Sequence, residues 1–157
     1  MLDLLRASAP ARVVNVASGG YKGAKLDLED LQGERGFSGQ RAYNNSKLAL
    51  ILFTRELARR VEGTGITVNA ADPGFVRATG IGTTLPLGYK LAGALMWPFM
   101  ASVEKGADTI AWAATDESLA DVSGRYFKRR KQVPTDPPTD DQALAGRLWE
   151  ITEALTR

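Results

Sequence analysis

RVVNVA, Arg12 to Ala17, decides the fold. It is short, rich in β-branched residues and nearly all apolar. That composition suits a strand buried on both faces of a parallel sheet. Ser18 follows it, and Gly19 and Gly20 end it. A second stretch of the same kind, ITVNAA (Ile66 to Ala71), is ended by Pro73-Gly74, and GRYFK (Gly124 to Lys128) reads as a third, shorter strand.

Helices are predicted between these strands. Ala42 to Val61 carries Leu48, Leu50, Ile51, Leu52, Leu57 and Ala58 at helical spacing, a wide apolar stripe stopped by Gly63 and Gly65. Ser102 can cap a helix over Val103 to Thr115, with Glu104 in its first turn. Met1 to Ser8 reads as the end of a helix broken by Pro10. Thr135 to Asp141 is a Pro-rich linker, after which Thr139 or Asp140 can cap a last helix running to Leu155. Tyr21 to Gly39 and residues 75 to 100 read as long loops, the latter with one or two short helices. Strands alternating with helices imply an α/β fold with a parallel sheet and right-handed crossovers.

The composition narrows the chemistry. The 157 residues suit one domain, and a net charge of +2 argues for neither nucleic acid nor a membrane surface as partner. The chain has no Cys and no His, so disulfides, thiolate chemistry and the usual general base are excluded. Proton transfer must use Tyr, Lys, Asp or Glu. The most apolar stretch, Leu91 to Val103, is too short to span a bilayer, and no secretory signal is evident. A cytoplasmic location is the expectation.

Tyr43 and Lys47, four apart near the start of the long helix, share one helix face. An ammonium one turn from a phenol stabilises the phenolate, which fits a tyrosine for acid–base work. Alone, such a pair more often decorates a solvated helix turn. Ser18 strengthens the reading, because it sits at the C-terminal end of the first strand, where open parallel sheets build their sites. Pro73-Gly74 ends the next strand at the same edge. KRRK, Lys128 to Lys131, reads as a solvated charge run, and Glu29, Asp30 and Glu34 show no metal-ligand spacing.

VVNVAS (Val13 to Ser18), YNNSK (Tyr43 to Lys47) and NAADPGFV (Asn69 to Val76) together resemble the successive motifs of the short-chain dehydrogenases/reductases. LALILFTRELARR (Leu48 to Arg60) is similar to the family as well, and DLEDLQGERGF and RLWEITEAL resemble the branch that contains the retinol dehydrogenases and related bacterial oxidoreductases. The resemblance implies the last three strands, with their helices, of a Rossmann-type doubly wound sheet. It implies interconversion of an alcohol and a carbonyl by hydride transfer with NAD or NADP, NADP being favoured. Tyr43 would be the proton donor or acceptor. Lys47 would assist it and bind the nicotinamide ribose, and Ser18 would orient the substrate oxygen. Pro73, Gly74 and Val76 would lie along the nicotinamide. Ala78 stands where the family commonly has a Thr near the cofactor phosphates, so Thr79 is expected to substitute. Leu85 to Met100 resembles the family's substrate lid by position. Its apolar and aromatic residues point to an apolar substrate, although ordinary packing accounts for them as well.

The family's Gly-rich first turn, TGxxxGxG, is not found in this chain, and only seventeen residues precede Ser18. Residues 1–157 are therefore expected to be a C-terminal catalytic part without its dinucleotide-binding half. The first strand would then be an exposed apolar edge, prone to pairing. Poor solubility alone, or association with a complementary fragment or with itself through that edge or the long helix, is expected. The alternative is a non-catalytic remnant that keeps the reactive residues but cannot hold a dinucleotide alone.

Overall fold

The computed structural model describes residues 1–77 and 100–156. Among the described residues four α-helices and four strands form in the order α1 (Leu2–Ala7), β1 (Ala11–Val16), α2 (Gly39–Arg60), β2 (Ile66–Asp72), α3 (Val103–Thr115), β3 (Tyr126–Lys128), β4 (Lys131–Gln132) and α4 (Gln142–Leu155). The sheet order is β1-β2-β3-β4. β1 and β2 pair in parallel with Val13 opposite Val68, and β2 and β3 pair in parallel with Ala71 opposite Phe127. The chain is thus an α/β fold with a Rossmann-like, mostly parallel sheet.

Side chains of a strand alternate between faces, and each face here meets different helices. Ala70 and Tyr126 join Leu48, Ile51 and Leu52 of α2 and Leu148 of α4 in one core. Val68 and Ile66 continue that side with Leu57, packed against Leu2, Leu5 and Trp149. Ala71 and Phe127 face the other way, onto Ala113, Ile110 and Trp112 of α3. The sheet is therefore covered by helices on both faces. Phe127 is 1% exposed and its ring meets Trp112 edge-on, 5.3 Å between centroids. Truncating such a ring to alanine costs about 3 to 5 kcal/mol.

Burial on both faces holds for β2, where all seven residues are buried, but not for β1. β1 pairs only with β2 among the described residues, and Val16 at its end is 45% exposed. The asparagines of these strands, half-buried Asn15 and buried Asn69, are both hydrogen-bonded. Asn15 donates to Thr54 Oγ1 across 2.9 Å. Asn69 donates to the Val122 carbonyl (2.6 Å) and accepts from the Arg125 amide (2.9 Å).

The structure corrects two details. KRRK is not merely a solvated run: Lys128 and Lys131 face each other as the ends of β3 and β4, and Arg129 and Arg130 form the turn. Both turn residues have positive φ, 51° and 54°, the backbone of the tight hairpin turn that usually holds Asn-Gly. Arg130 offsets this by clasping Asp108 of α3 with two guanidinium nitrogens. The last helix is capped by Asp141, whose carboxylate accepts from the Leu144 amide, and not by Thr139 or Asp140. Thr139 is buried and donates to the Asp136 carbonyl instead. Among the described residues no helix is long and apolar enough to cross a membrane.

Candidate active site

Ser18 leaves β1 in extended conformation, and a single 3-10 turn, Gly19–Tyr21, reverses the chain beneath it. The turn is anchored by Tyr21, which is buried and meets Tyr126 edge-on at 5.8 Å. Ser18 Oγ accepts from the Gly20 amide (3.2 Å) and from the Tyr43 hydroxyl (3.0 Å). Gly20 has to be glycine for this to happen. A Cβ there would stand 2.7 Å from Cε1 of the Tyr43 ring.

Tyr43 lies in the second turn of α2, and Lys47 one turn further along. The Lys47 ammonium sits 5.7 Å from the Tyr43 ring centroid and donates to the Val16 carbonyl at the end of β1 (3.3 Å). Ser18, Tyr43 and Lys47 are therefore drawn together at the C-terminal end of β1, as their spacing suggested.

The next strand contributes Pro73 and Gly74. Asp72 ends β2 and turns its carboxylate back on its own loop, where Oδ1 accepts from the Gly74 amide (2.7 Å). The chain then runs beside residues 100 and 101, with Val76 bridged to Ala101. α3 comes so close that a Cβ at Gly106 would lie 2.4 Å from Val76 Cγ2. Thr79 and residues 85–99 of the expected lid lie outside the described residues.

Sequence reasoning missed the most connected group at this edge. Asp72 is 2% exposed. Its Oδ2 accepts from the Gly19 amide (3.1 Å) and the Tyr126 hydroxyl (3.0 Å) and pairs with the Lys128 ammonium (2.9 Å). Burial alone would raise this carboxyl, but the Lys128 bond, the Gly74 amide and the Tyr126 hydroxyl outweigh it and hold it below the usual aspartate value. The Tyr126 hydroxyl is pushed upward by its burial and by the Asp72 charge, so it stays protonated as a donor. The only hint in the sequence is an acid at the end of an apolar strand; its side-chain partners, Tyr126 and Lys128, come more than fifty residues later.

An open cleft of about 420 Å³ adjoins this edge, lined by Pro73, Gly74, Phe75, Lys105, Lys128 and others. Phe75 is 81% exposed there. Pro73 in this lining offers an apolar surface that suits a nicotinamide ring face. Outside the cleft lining, Lys47 has ammonium protons beyond the one given to Val16. Among the described residues no α-helix opens directly behind a Gly-rich strand turn, the usual seat for a pyrophosphate.

The short chain dehydrogenase family profile matches residues 1–89. The chain belongs to the short chain dehydrogenase family. Retinol dehydrogenase 14 of Mus musculus is 41% identical over 158 residues, covering 99% of this chain and 47% of that protein. Human retinol dehydrogenase 12 is 40% identical over 156 residues, covering 97% of this chain and 48% of that protein. The chain thus spans about half the length of the curated relatives it matches. A crystal structure of an uncharacterised Mycobacterium paratuberculosis protein superposes with a TM-score of 0.71 at 28% identity, over 93% of this chain and 50% of that one. The fold is also shared with a Beutenbergia cavernae protein described as an NAD(P)-dependent gluconate 5-dehydrogenase with bound NADP. There the TM-score is 0.55 and the identity 23%, over 81% of this chain and 47% of that one.

Proposed function

We propose that this short chain dehydrogenase interconverts an alcohol and a carbonyl with NAD(P), and that Ser18, Tyr43 and Lys47 are its reaction centre. The observation that carries the reading is the hydrogen bond from Tyr43 to Ser18, with Lys47 one helical turn away, at the C-terminal end of a parallel strand. When bound, the nicotinamide supplies or accepts the hydride. The protein's own residues handle the proton and the oxygen. In reduction, Tyr43 gives its hydroxyl proton to the substrate oxygen as negative charge builds there. Ser18 donates to the same oxygen and holds it in place. The Lys47 ammonium offsets the charge left on Tyr43. In oxidation, Tyr43 takes the alcohol proton back. Pro73, Gly74, Val76 and Thr79 are proposed to lie along the cofactor.

The substrate class favoured is an apolar alcohol or aldehyde. Two features support it: the relatives are retinol dehydrogenases, and exposed Phe75 stands beside the cleft.

The test uses this chain and the product of any in-frame extension upstream of Met1. NADH and NADPH are titrated against each by fluorescence, then turnover is measured with retinal and with small aliphatic aldehydes. Micromolar binding and turnover abolished by Tyr43→Phe are expected. If neither form binds either cofactor, the reaction is not this protein's. If Tyr43→Phe turns over normally, the assigned role is wrong.

A further inference from the structure

We propose that Asp72 is a positioning residue for this reaction, holding the Ser18 turn against the last parallel strand through the Gly19 amide, Tyr126 and Lys128. The inference rests on the function proposed above. Three donors from two separate parts of the chain converge on one buried oxygen, Oδ2. The fourth, the Gly74 amide, holds the other oxygen. A carboxylate can accept at every one of these points, whereas an asparagine would turn an NH2 group toward at least one donor.

The link to Ser18 runs through two adjacent amides. Gly19 donates to Asp72, and Gly20, the next residue, donates to Ser18 Oγ. A Cβ on Gly19 would stand 3.5 Å from Asp72 Oδ2 and 3.8 Å from Lys128 Nζ, so the ion pair lies directly under the turn. Asp72 does not touch the reacting atoms; it fixes the segment that carries one of them. The charged groups facing it are Lys128 of β3 and, around the same cleft, Lys105 and Asp108 of α3 and Arg129 and Arg130 of the hairpin turn. Tyr126 faces it as a neutral donor.

The test is a pH titration by NMR of the ¹⁵N-labelled chain, its Asp72→Asn variant and its Lys128→Met variant. The Gly19, Gly20 and Gly74 amides are expected to move together with one midpoint below the ordinary aspartate value. Asp72→Asn should remove that transition and speed exchange of the Gly20 amide by about ten-fold or more. Lys128→Met should shift the midpoint upward, because burial then meets less opposition. In the form that turns over, Asp72→Asn should lower kcat by about ten-fold and leave KM for the cofactor unchanged. A transition that persists in Asp72→Asn, or a Gly20 amide that does not follow, overturns the proposal. If Asp72→Asn does not fold, an unchanged midpoint in Lys128→Met overturns it alone. Loss of turnover in Tyr43→Phe alongside unaltered kinetics in Asp72→Asn would sink the positioning role and leave the function standing.

Discussion

The hydroxyl of Tyr43 donates to the hydroxyl oxygen of Ser18 across 3.0 Å, although 25 residues of chain separate them. Ser18 also receives the Gly20 amide, so both lone pairs of its oxygen are engaged. Its own proton is the one group it has left to give. Ser18→Ala should therefore lower kcat by about 10² to 10³, the usual cost of losing one donor to a developing oxyanion. Steady-state kinetics with the cofactor saturating check this, and a loss of less than about three-fold would remove Ser18 from the mechanism.

Gly20→Ala probes the same contact from below. The added methyl would press on the Tyr43 ring at 2.7 Å. Either the ring or the turn must shift, and either movement alters the Tyr43–Ser18 contact. A fall in kcat of about ten-fold or more is expected, with the thermal midpoint lowered by a few degrees at most. Unchanged turnover would show that the ring tolerates the shift and that the 3.0 Å contact is not required.

Much of this site was legible because its signals are local. Tyr43 and Lys47 are one helical turn apart, and Ser18 and Pro73 each follow an apolar β-branched run. α3 and its Ser102 cap lie where Val103 to Thr115 was predicted, and α2 differs by a few residues at its start. What escaped the reading depends on distant pairing. Asp72 looks like a strand-end acid until Tyr126 and Lys128, 54 and 56 positions later, are brought beside it by the β2–β3 register. The Arg129-Arg130 turn carries none of the usual turn residues, so composition could not reveal the hairpin. β1 reads as doubly buried because sequence records how apolar a strand is and not which neighbours flank it.

Glu56 makes part of the stability depend on pH. Its side chain is 3% exposed and accepts from Arg59 at 2.7 and 3.0 Å and from Arg60 at 2.6 Å. The Arg59 bond lowers its pKa from the ordinary 4.5; burial opposes this and Arg60 adds to it. A carboxyl whose folded pKa is depressed contributes stability fully above its unfolded value and loses it as pH falls through the folded one. The thermal midpoint should therefore drop as pH falls below about 4.5. Glu56→Gln should flatten that drop and cost about 1 kcal/mol near neutrality, or about 2 to 4 °C in Tm. An unaltered acid slope in the variant would assign the loss to other carboxyls.

The hairpin turn offers a stabilising substitution. Arg129 is exposed, holds a φ of 51°, and has no hydrogen-bond or ion-pair partner among the described residues. A non-glycine residue in that conformation costs about 1 to 2 kcal/mol, and glycine removes most of it at a smaller entropic cost. Arg129→Gly should raise Tm by about 2 °C while leaving the Arg130–Asp108 clasp in place. A lowered Tm in differential scanning calorimetry would mean that the Arg129 side chain stabilises the fold.

The knot at Asp72 also sets an order of assembly on the ribosome. β1, α2 and β2 are made before β3, and the serine turn can form as soon as β2 pairs with β1. Its clamp does not, because Tyr126 and Lys128 are still to be translated. At about 5 to 20 residues per second, the 56 positions from Asp72 to Lys128 take about 3 to 11 s. During that interval a nascent chain carries Ser18, Tyr43 and Lys47 already close together, yet with the serine turn unsecured. The serine turn is thus secured only once β3 has been made, by a strand of three residues, Tyr126–Lys128.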